Sequence, residues 1–371
     1  MKLALVRQRY NPYGGAERFI ERALPALERA GMQTTLIARD VGGWGARRAL
    51  RVDPFYIGST WRDRSFARAA RKAWAAGGFD LVQSHERIAG CHIYRAGDGV
   101  HAQWLEIRRG VAGTLERLGI ALNPYHHYVR GAERRMFADP TLRAVICNSG
   151  MVREEIRRCF GVPPEKLHVI YNGVDLEHFQ PARRAALRLT AREDLGVAAG
   201  ETLFLFVGSG FARKGLDAAI AALAACGEPS FRLAVVGRDR DAARFAAVAA
   251  PLGDRVQFLG GRDDVRALYA AADCFMLPTR YDPFPNTVLE ALAMGLPVIV
   301  GRRSGAAEIV QAGSGWTCDP ADVADLAQTM RLAARAAQSP ENAAAARGIA
   351  ERYGIEDMAR QLTALYATLS P

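Results

Sequence analysis

Apolar residues along the chain fall into short blocks, separated by longer stretches in which they recur every third or fourth position. In the first half the blocks are KLALVR at 2–7, QTTLIA at 33–38, FDLVQSH at 79–85, CHIYRA at 91–96, RAVICNS at 143–149 and KLHVIYNGV at 166–174. Blocks so short and so continuously apolar predict strands covered on both faces, as in parallel sheets flanked by helices. A polar, basic stretch at 175–200 interrupts the pattern. It then restarts with TLFLFVGSG at 202–210, FRLAVVG at 231–237, RVQFLGG at 255–261, DCFMLP at 273–278 and LPVIVG at 296–301.

Strand–helix alternation in both halves predicts an α/β fold of two Rossmann-like domains. Functional groups are then expected at the carboxyl ends of the strands, where the two sheets would face across a cleft. The expected organisation is an N-terminal domain at 1–174, an interdomain connection at 175–200, a C-terminal domain at 201–352 and a final amphipathic helix at 353–371. A length of 371 residues suits two cores better than one.

Composition narrows the class. Half of the chain is hydrophobic and about a quarter charged, which excludes a disordered protein. The net charge of +10 points to an anionic partner, and nucleic acid, acidic lipid and a phosphorylated substrate all qualify. The six cysteines, Cys91, Cys147, Cys159, Cys226, Cys274 and Cys318, form no CxxC pair, and several lie in apolar runs. That predicts buried free thiols in a reducing compartment and no zinc site. The run at 2–7 reads as a strand rather than a signal peptide, and no stretch approaches the roughly 20 apolar residues of a membrane span. A cytoplasmic protein is expected.

Candidate chemistry sits where strands end. Gly14 and Gly15 follow the first strand and open a helix, a place where backbone amides approach an anion. In FLFVGSGFARKGLD, Gly208 and Gly210 follow a strand, and Arg213 and Lys214 stand at the start of a helix. The segment fits neither a P-loop nor GxGxxG. Cations oppose the dipole of a helix that starts beside them, and a bound diphosphate would justify them. In RYDPFPNTVLEALAMGLPVI, at 280–299, two prolines delay the helix, which is expected to begin at Asn286 as N-cap. The amides of Thr287 and Val288 would then be open to a phosphate. Glu290 is expected to hold the ribose hydroxyls, and Asp282 to face a hexose.

Other acids and histidines carry less. Asp239-Arg240-Asp241 has the DxD spacing of some metal sites, but it reads as a helix start, and Arg213 and Lys214 already offer positive charge. No metal and no cofactor are therefore expected. His85 ends a strand and is expected to line the cleft. No GxSxG elbow accompanies any histidine. Residues 44–76 and 101–137 mix arginine with Trp44, Trp61, Trp74, Trp104, Tyr125 and Tyr128. Such a mixture suits an anionic membrane surface or single-stranded nucleic acid.

Taken together, these motifs resemble glycosyltransferase family 4, retaining enzymes of the two-Rossmann GT-B fold. The resemblance rests on GGAE at 14–17, CNSG at 147–150, YNGVD at 171–175, VGSGFARKGLD at 207–217, VQFLGGRDDVRALYAAADCFMLP at 256–278 and the acid-x7-acid motif from Asp282 to Glu290. The family's motif has Glu at both ends; here the first is Asp. RYNPYGGAERF and YRAGDGVHAQW are most similar to the group that glucosylates heptose in the lipopolysaccharide core.

The resemblance implies a C-terminal helix packed back on the N-terminal domain, and metal-independent transfer from a UDP-sugar, with glucose as the hexose. It also implies a lipid-linked glycan acceptor at an anionic inner-membrane surface, with no nucleic acid partner. Asp98, in AGDG, would then act on the acceptor hydroxyl. Arg213, Lys214 and Asp282 complete the catalytic set, and Gly14, Gly15, Asn286, Thr287, Val288 and Glu290 the donor site. The competing readings are a UDP-sugar epimerase of the same fold and a non-catalytic module that binds anionic lipid or nucleic acid.

Overall fold

The blocks read as strands are strands. The computed structural model describes residues 1–8, 24–25, 27–29, 31–41, 48–337 and 339–369. It divides into one unit made of Met1–Asn172 with Glu356–Pro371 and a second made of Gly173–Ile355. In the first unit the strands are β1 (Lys2–Val6), β2 (Gln33–Ala38), β3 (Ala49–Arg51), β4 (Leu81–Ser84), β5 (Ile93–Ala96), β6 (Ala144–Cys147) and β7 (Leu167–Val169). They form a parallel sheet in the order β3-β2-β1-β4-β5-β6-β7.

Alternation along each strand sends side chains to two cores. Leu3, Leu5, Leu36, Ile93 and Ile146 enter one; Ala4, Val6, Ile37, Val82, Tyr94 and Val145 enter the other. The final helix, Ile355–Leu369, lays Met358, Leu362, Leu365 and Tyr366 into the first of these cores. Those positions recur at helical spacing, which is why the stripe is legible in the sequence. Tyr366 Oη donates to Gln83 Oε1 at 2.6 Å, so the helix is tied to β4 by a buried polar contact as well. The expectation that this helix joins the N-terminal domain holds.

The second unit repeats the topology. Its strands are β8 (Thr202–Val207), β9 (Phe231–Val236), β10 (Val256–Gly260), β11 (Cys274–Leu277), β12 (Val298–Gly301) and β13 (Gly315–Cys318), in the parallel order β10-β9-β8-β11-β12-β13. In both sheets the chain leaves the first strand in one direction and returns on its other side. The reversal lies between β1 and β4 in one unit and between β8 and β11 in the other. Ligands of open α/β sheets bind beyond the strand ends at such a reversal.

Three sequence readings need correction. The short edge strands β3 and β13 were not predicted; β3 is exposed along its length and carries no apolar run. Residues 175–200 belong to the second unit and include the helix Pro181–Asp194. Its arginines have a structural use. Arg184, Arg188 and Arg192, four apart, donate to the carbonyls of Ala270, Ala271 and Ala272 at the end of the helix Arg266–Ala271. Cations are favoured at a helix C-terminus, and Asp273 pairs with both Arg188 and Arg192. The basic composition that suggested a linker is one face of a packed helix. Finally, Cys159 is exposed, whereas the other five thiols are buried; all six are free.

Candidate functional site

In the second unit, the segments after β8 and β11 meet at the topological reversal. After β8 the chain turns through Gly208 and Gly210 into a single helical turn, Phe211–Lys214, and then, past Gly215, into the helix Leu216–Cys226. Gly215 has φ of 76°, and a Cβ there would stand 2.0 Å from the carbonyl oxygen of Pro278. Only glycine lets the two segments approach so closely. Arg280 fastens them further, gripping both carboxylate oxygens of Asp217 at 2.8 and 2.7 Å.

This packing brings Asp282 to the two cations. Lys214 Nζ lies 2.8 Å and Arg213 Nη1 3.1 Å from Asp282 Oδ2. Arg213 also donates to the carbonyl of Tyr281 at 3.0 Å. Asp282 is 5% exposed and Lys214 9%. Burial pushes the Asp282 carboxyl upward, but Lys214 and Arg213 outweigh it and hold the group below its usual range. Burial lowers Lys214, and Asp282 opposes that shift. One carboxylate thus faces two cations, leaving the cluster with one unit of positive charge.

The helix Asn286–Ala293 follows. Pro285, in extended conformation, is its N-cap, so Asn286 is the first helical residue and not the cap expected. The proline's fixed backbone sets the helix start one residue earlier than the side-chain preference suggested. The Val288 amide donates to the carbonyl of Pro285 at 3.1 Å, so it is not open to a phosphate. Thr287 keeps its place at the helix start, and its buried hydroxyl has no hydrogen-bond partner. Glu290 is fully buried and accepts from Tyr269 Oη at 3.1 Å. Sequence reasoning missed Tyr269, because it lies on another helix. Gly14 and Gly15 lie outside the described residues.

Asp239 has a structural use. Its carboxylate accepts from the amides of Phe211 at 2.7 Å and Asp241 at 2.8 Å, bracing the loop after β8. Among the described residues, no group of three or more His, Cys, Asp or Glu is disposed to hold a metal ion.

The first unit has its own cavity at the reversal between β1 and β4, of about 380 Å³. Arg7 and Gln8 follow β1, Glu86 and Arg87 follow β4, and Asp98 follows β5. Asp98 is half exposed and stands 3.8 Å from Arg7 and 4.0 Å from Arg87. Glu86 sits 3.6 Å from Arg7; burial raises its carboxyl pKa against the pull of that arginine. Asp63 anchors the opposite wall, receiving bonds from Gln8, Arg62 and Tyr125 at 3.0, 2.8 and 2.9 Å. Of this group, Asp98 was anticipated as a catalytic residue and Tyr125 only as part of a basic, aromatic surface. His85 does not line the cavity: it is 3% exposed and bonded to Gln83. Burial first, then Arg95 and Arg7, hold its imidazole well below its ordinary pKa.

Comparison with known proteins agrees with this fold. Over 98% of the chain, the fold superposes on the crystal structure of WaaG, a glycosyltransferase involved in lipopolysaccharide biosynthesis, with a TM-score of 0.84 and 24% identity over 99% of that chain. Anabaena HepE in complex with UDP and glucose gives a TM-score of 0.74, at 23% identity over 99% of both chains. In sequence, the chain is 28% identical to a probable transglycosylase of Burkholderia thailandensis over 90% of its own length and 88% of that protein. It is 30% identical to the lipopolysaccharide glucosyltransferase WaaG of Escherichia coli, over 62% of this chain and 61% of that one. Residues 13–178 match the model of Glycosyltransferase Family 4, residues 188–347 match that of Glycosyl transferases group 1, and the chain belongs to the GT-B glycosyltransferases that these two models describe.

Proposed function

We propose that the protein is a retaining, metal-independent hexosyltransferase that moves glucose from UDP-glucose to a lipid-linked glycan, the heptose region of a lipopolysaccharide core. The observation that carries this reading is the cluster of Arg213, Lys214 and Asp282 at the β8–β11 reversal, with the buried Glu290 in the helix that follows. Two cations with one carboxylate suit a diphosphate leaving group, whose growing charge they would stabilise in place of a metal. Glu290, oriented by Tyr269, would accept from the ribose hydroxyls. Asp282 pairs with both cations. When the diphosphate takes them over, its carboxylate is freed to meet hydroxyls of the hexose.

The first unit would bind the acceptor. Asp98, exposed and flanked by Arg7 and Arg87, would orient or deprotonate the acceptor hydroxyl. No helix among the described residues is long and apolar enough to cross a membrane. The helix Thr114–Leu122 instead leaves Leu115, Leu118 and Leu122 exposed, and Val111 precedes it. Such an apolar stripe beside arginines suits peripheral attachment to the anionic inner membrane from the cytoplasm, where a lipid-linked acceptor lies.

The test is UDP release from a panel of UDP-sugars with EDTA present, comparing wild type with Glu290→Ala and Arg213→Ala. The reading expects slow turnover of UDP-glucose that both substitutions abolish. Interconversion of UDP-sugars without release would favour an epimerase. Absence of turnover and of calorimetric UDP binding would overturn the donor assignment.

A further inference from the structure

A second cavity of the first unit adjoins the one that holds Asp98. It measures about 620 Å³, within the ~300–1,000 Å³ range of small-molecule sites. The two cavities share Arg87, Tyr128, Ala67, Ile88 and Ala132 as lining residues. Its charged lining is cationic throughout: Arg64, Arg68 and Arg71 from the helix Gly58–Ala76, Arg87 from the loop after β4, and Arg135 from the helix Pro124–Phe137.

The acids nearby are committed elsewhere. Glu133, almost fully buried, bonds Arg87 Nε at 2.9 Å and the amide of His101 at 2.8 Å. Asp98 faces Arg7 and Arg87. Among the described residues, Arg64, Arg68, Arg71 and Arg135 have no carboxylate within 4.0 Å. Arg64, Arg68 and Arg71 follow one another at four and three residues, so a single helix face carries all three. Like charges at that spacing repel; among the described residues Arg71 is eased in part by the carboxylate of Asp139, beyond ion-pair distance.

We propose that this arginine-lined cavity is a subsite for a phosphomonoester carried by the acceptor glycan. A phosphomonoester brings between one and two negative charges and three acceptor oxygens, a better match to four unpaired guanidinium groups than a single carboxylate. Arginine binds it through paired N–H groups and so fixes its orientation as well as its charge. Arg87 spans the two cavities, pairing with Glu133 and Asp98 on one side and lining the phosphate subsite on the other. A phosphate seated there would set the distance between the charged end of the acceptor and the hydroxyl presented to Asp98. The proposal rests on the reading of the first unit as acceptor-binding.

The test uses the full chain without donor. Mannose 6-phosphate and mannose are compared at constant ionic strength, by calorimetry and by protection of arginines from phenylglyoxal mapped on peptides. Vesicles of phosphatidylglycerol form a third arm. The expected result is that the sugar phosphate, and not mannose, protects Arg64, Arg68, Arg71 and Arg135, whether or not vesicles also do. The double variant Arg68→Gln/Arg135→Gln, both exposed and unpaired positions, should weaken that binding at least tenfold. Equal modification with and without the sugar phosphate, or unchanged binding by the double variant, would overturn it. Protection by vesicles alone would assign the cavity to a lipid headgroup instead. Because no step needs UDP-sugar turnover, the outcome is readable whether the transferase reading stands or falls.

Discussion

Lys214 and Asp282, 68 positions apart in sequence, form a buried 2.8 Å ion pair at the reversal of the second sheet. Removing one partner from such a pair strands the other without compensation, which costs about 3–5 kcal/mol. Asp282→Asn should therefore lower stability on that scale, as read by urea denaturation, in addition to reducing UDP release. A variant that loses turnover with unchanged stability would show that the pair is not structurally needed. Acid should act in the same direction: the carboxyl is held below its unfolded value, so its contribution is present at neutral pH and lost as pH falls through the folded value.

Two glycines of the loop after β8 separate packing from chemistry. Gly215→Ala places a Cβ 2.0 Å from a backbone oxygen at positive φ, and should destabilise the protein by several kcal/mol, or about 1–3 kcal/mol from backbone strain alone. Gly208→Ala meets only the stem of Lys214, at 3.1 Å, which can shift. That variant should fold normally and show slower donor turnover. Differential scanning calorimetry with a UDP-release assay distinguishes the two; equal melting losses would refute the contrast.

Tyr269 is expected to act through Glu290. Tyr269→Phe removes the hydroxyl that reaches Glu290 at 3.1 Å and the Thr287 carbonyl at 3.2 Å, and loss of the bond to the charged acceptor is worth about 1.5–3 kcal/mol. The loss should fall on donor binding, raising the KM for the proposed sugar-nucleotide donor with little change in kcat. A fall in kcat at constant KM would place Tyr269 in the chemical step.

His85 predicts a pH response of the first unit. Its imidazole is neutral in the fold, whereas the unfolded chain takes up a proton near pH 6.5. Below that value the unfolded state binds more protons, so the contribution of His85 to stability falls as pH drops from 7 toward 5. Melting curves of wild type and His85→Gln should converge as pH falls. Parallel curves would assign the acid sensitivity to other groups.

Membrane attachment is tested by flotation with anionic vesicles. Leu115→Asp/Leu118→Asp changes two exposed side chains, 87% and 55% accessible, and should abolish flotation while leaving the melting temperature within about a degree or two. Retained flotation would direct attention to the exposed Phe55 and Trp61 beside the arginine cavity.

The sheets were legible because buried parallel strands are written as apolar blocks, and the final helix because its core stripe repeats at helical spacing. β3 escaped notice because an exposed three-residue edge strand needs no apolar block. Within the site, Arg213, Lys214, Asp282 and Glu290 were legible from their position after strands. Their partners were not: the bonds from Tyr269 to Glu290 and from Arg280 to Asp217 join separate segments, and no local pattern encodes them. The stripe Arg64, Arg68, Arg71 was available as a helical repeat of one charge, but only the structure shows Arg87 and Arg135 closing the same cavity.

The docking of the last helix has a consequence for biosynthesis. The core beneath β1 and β4 is incomplete without Met358, Leu362, Leu365 and Tyr366, which are made after the whole second unit. A chain emerging from the ribosome can therefore close its second sheet while the first still exposes an apolar face. The domain begun first is finished last, and during that interval it is the one that chaperones would be expected to hold.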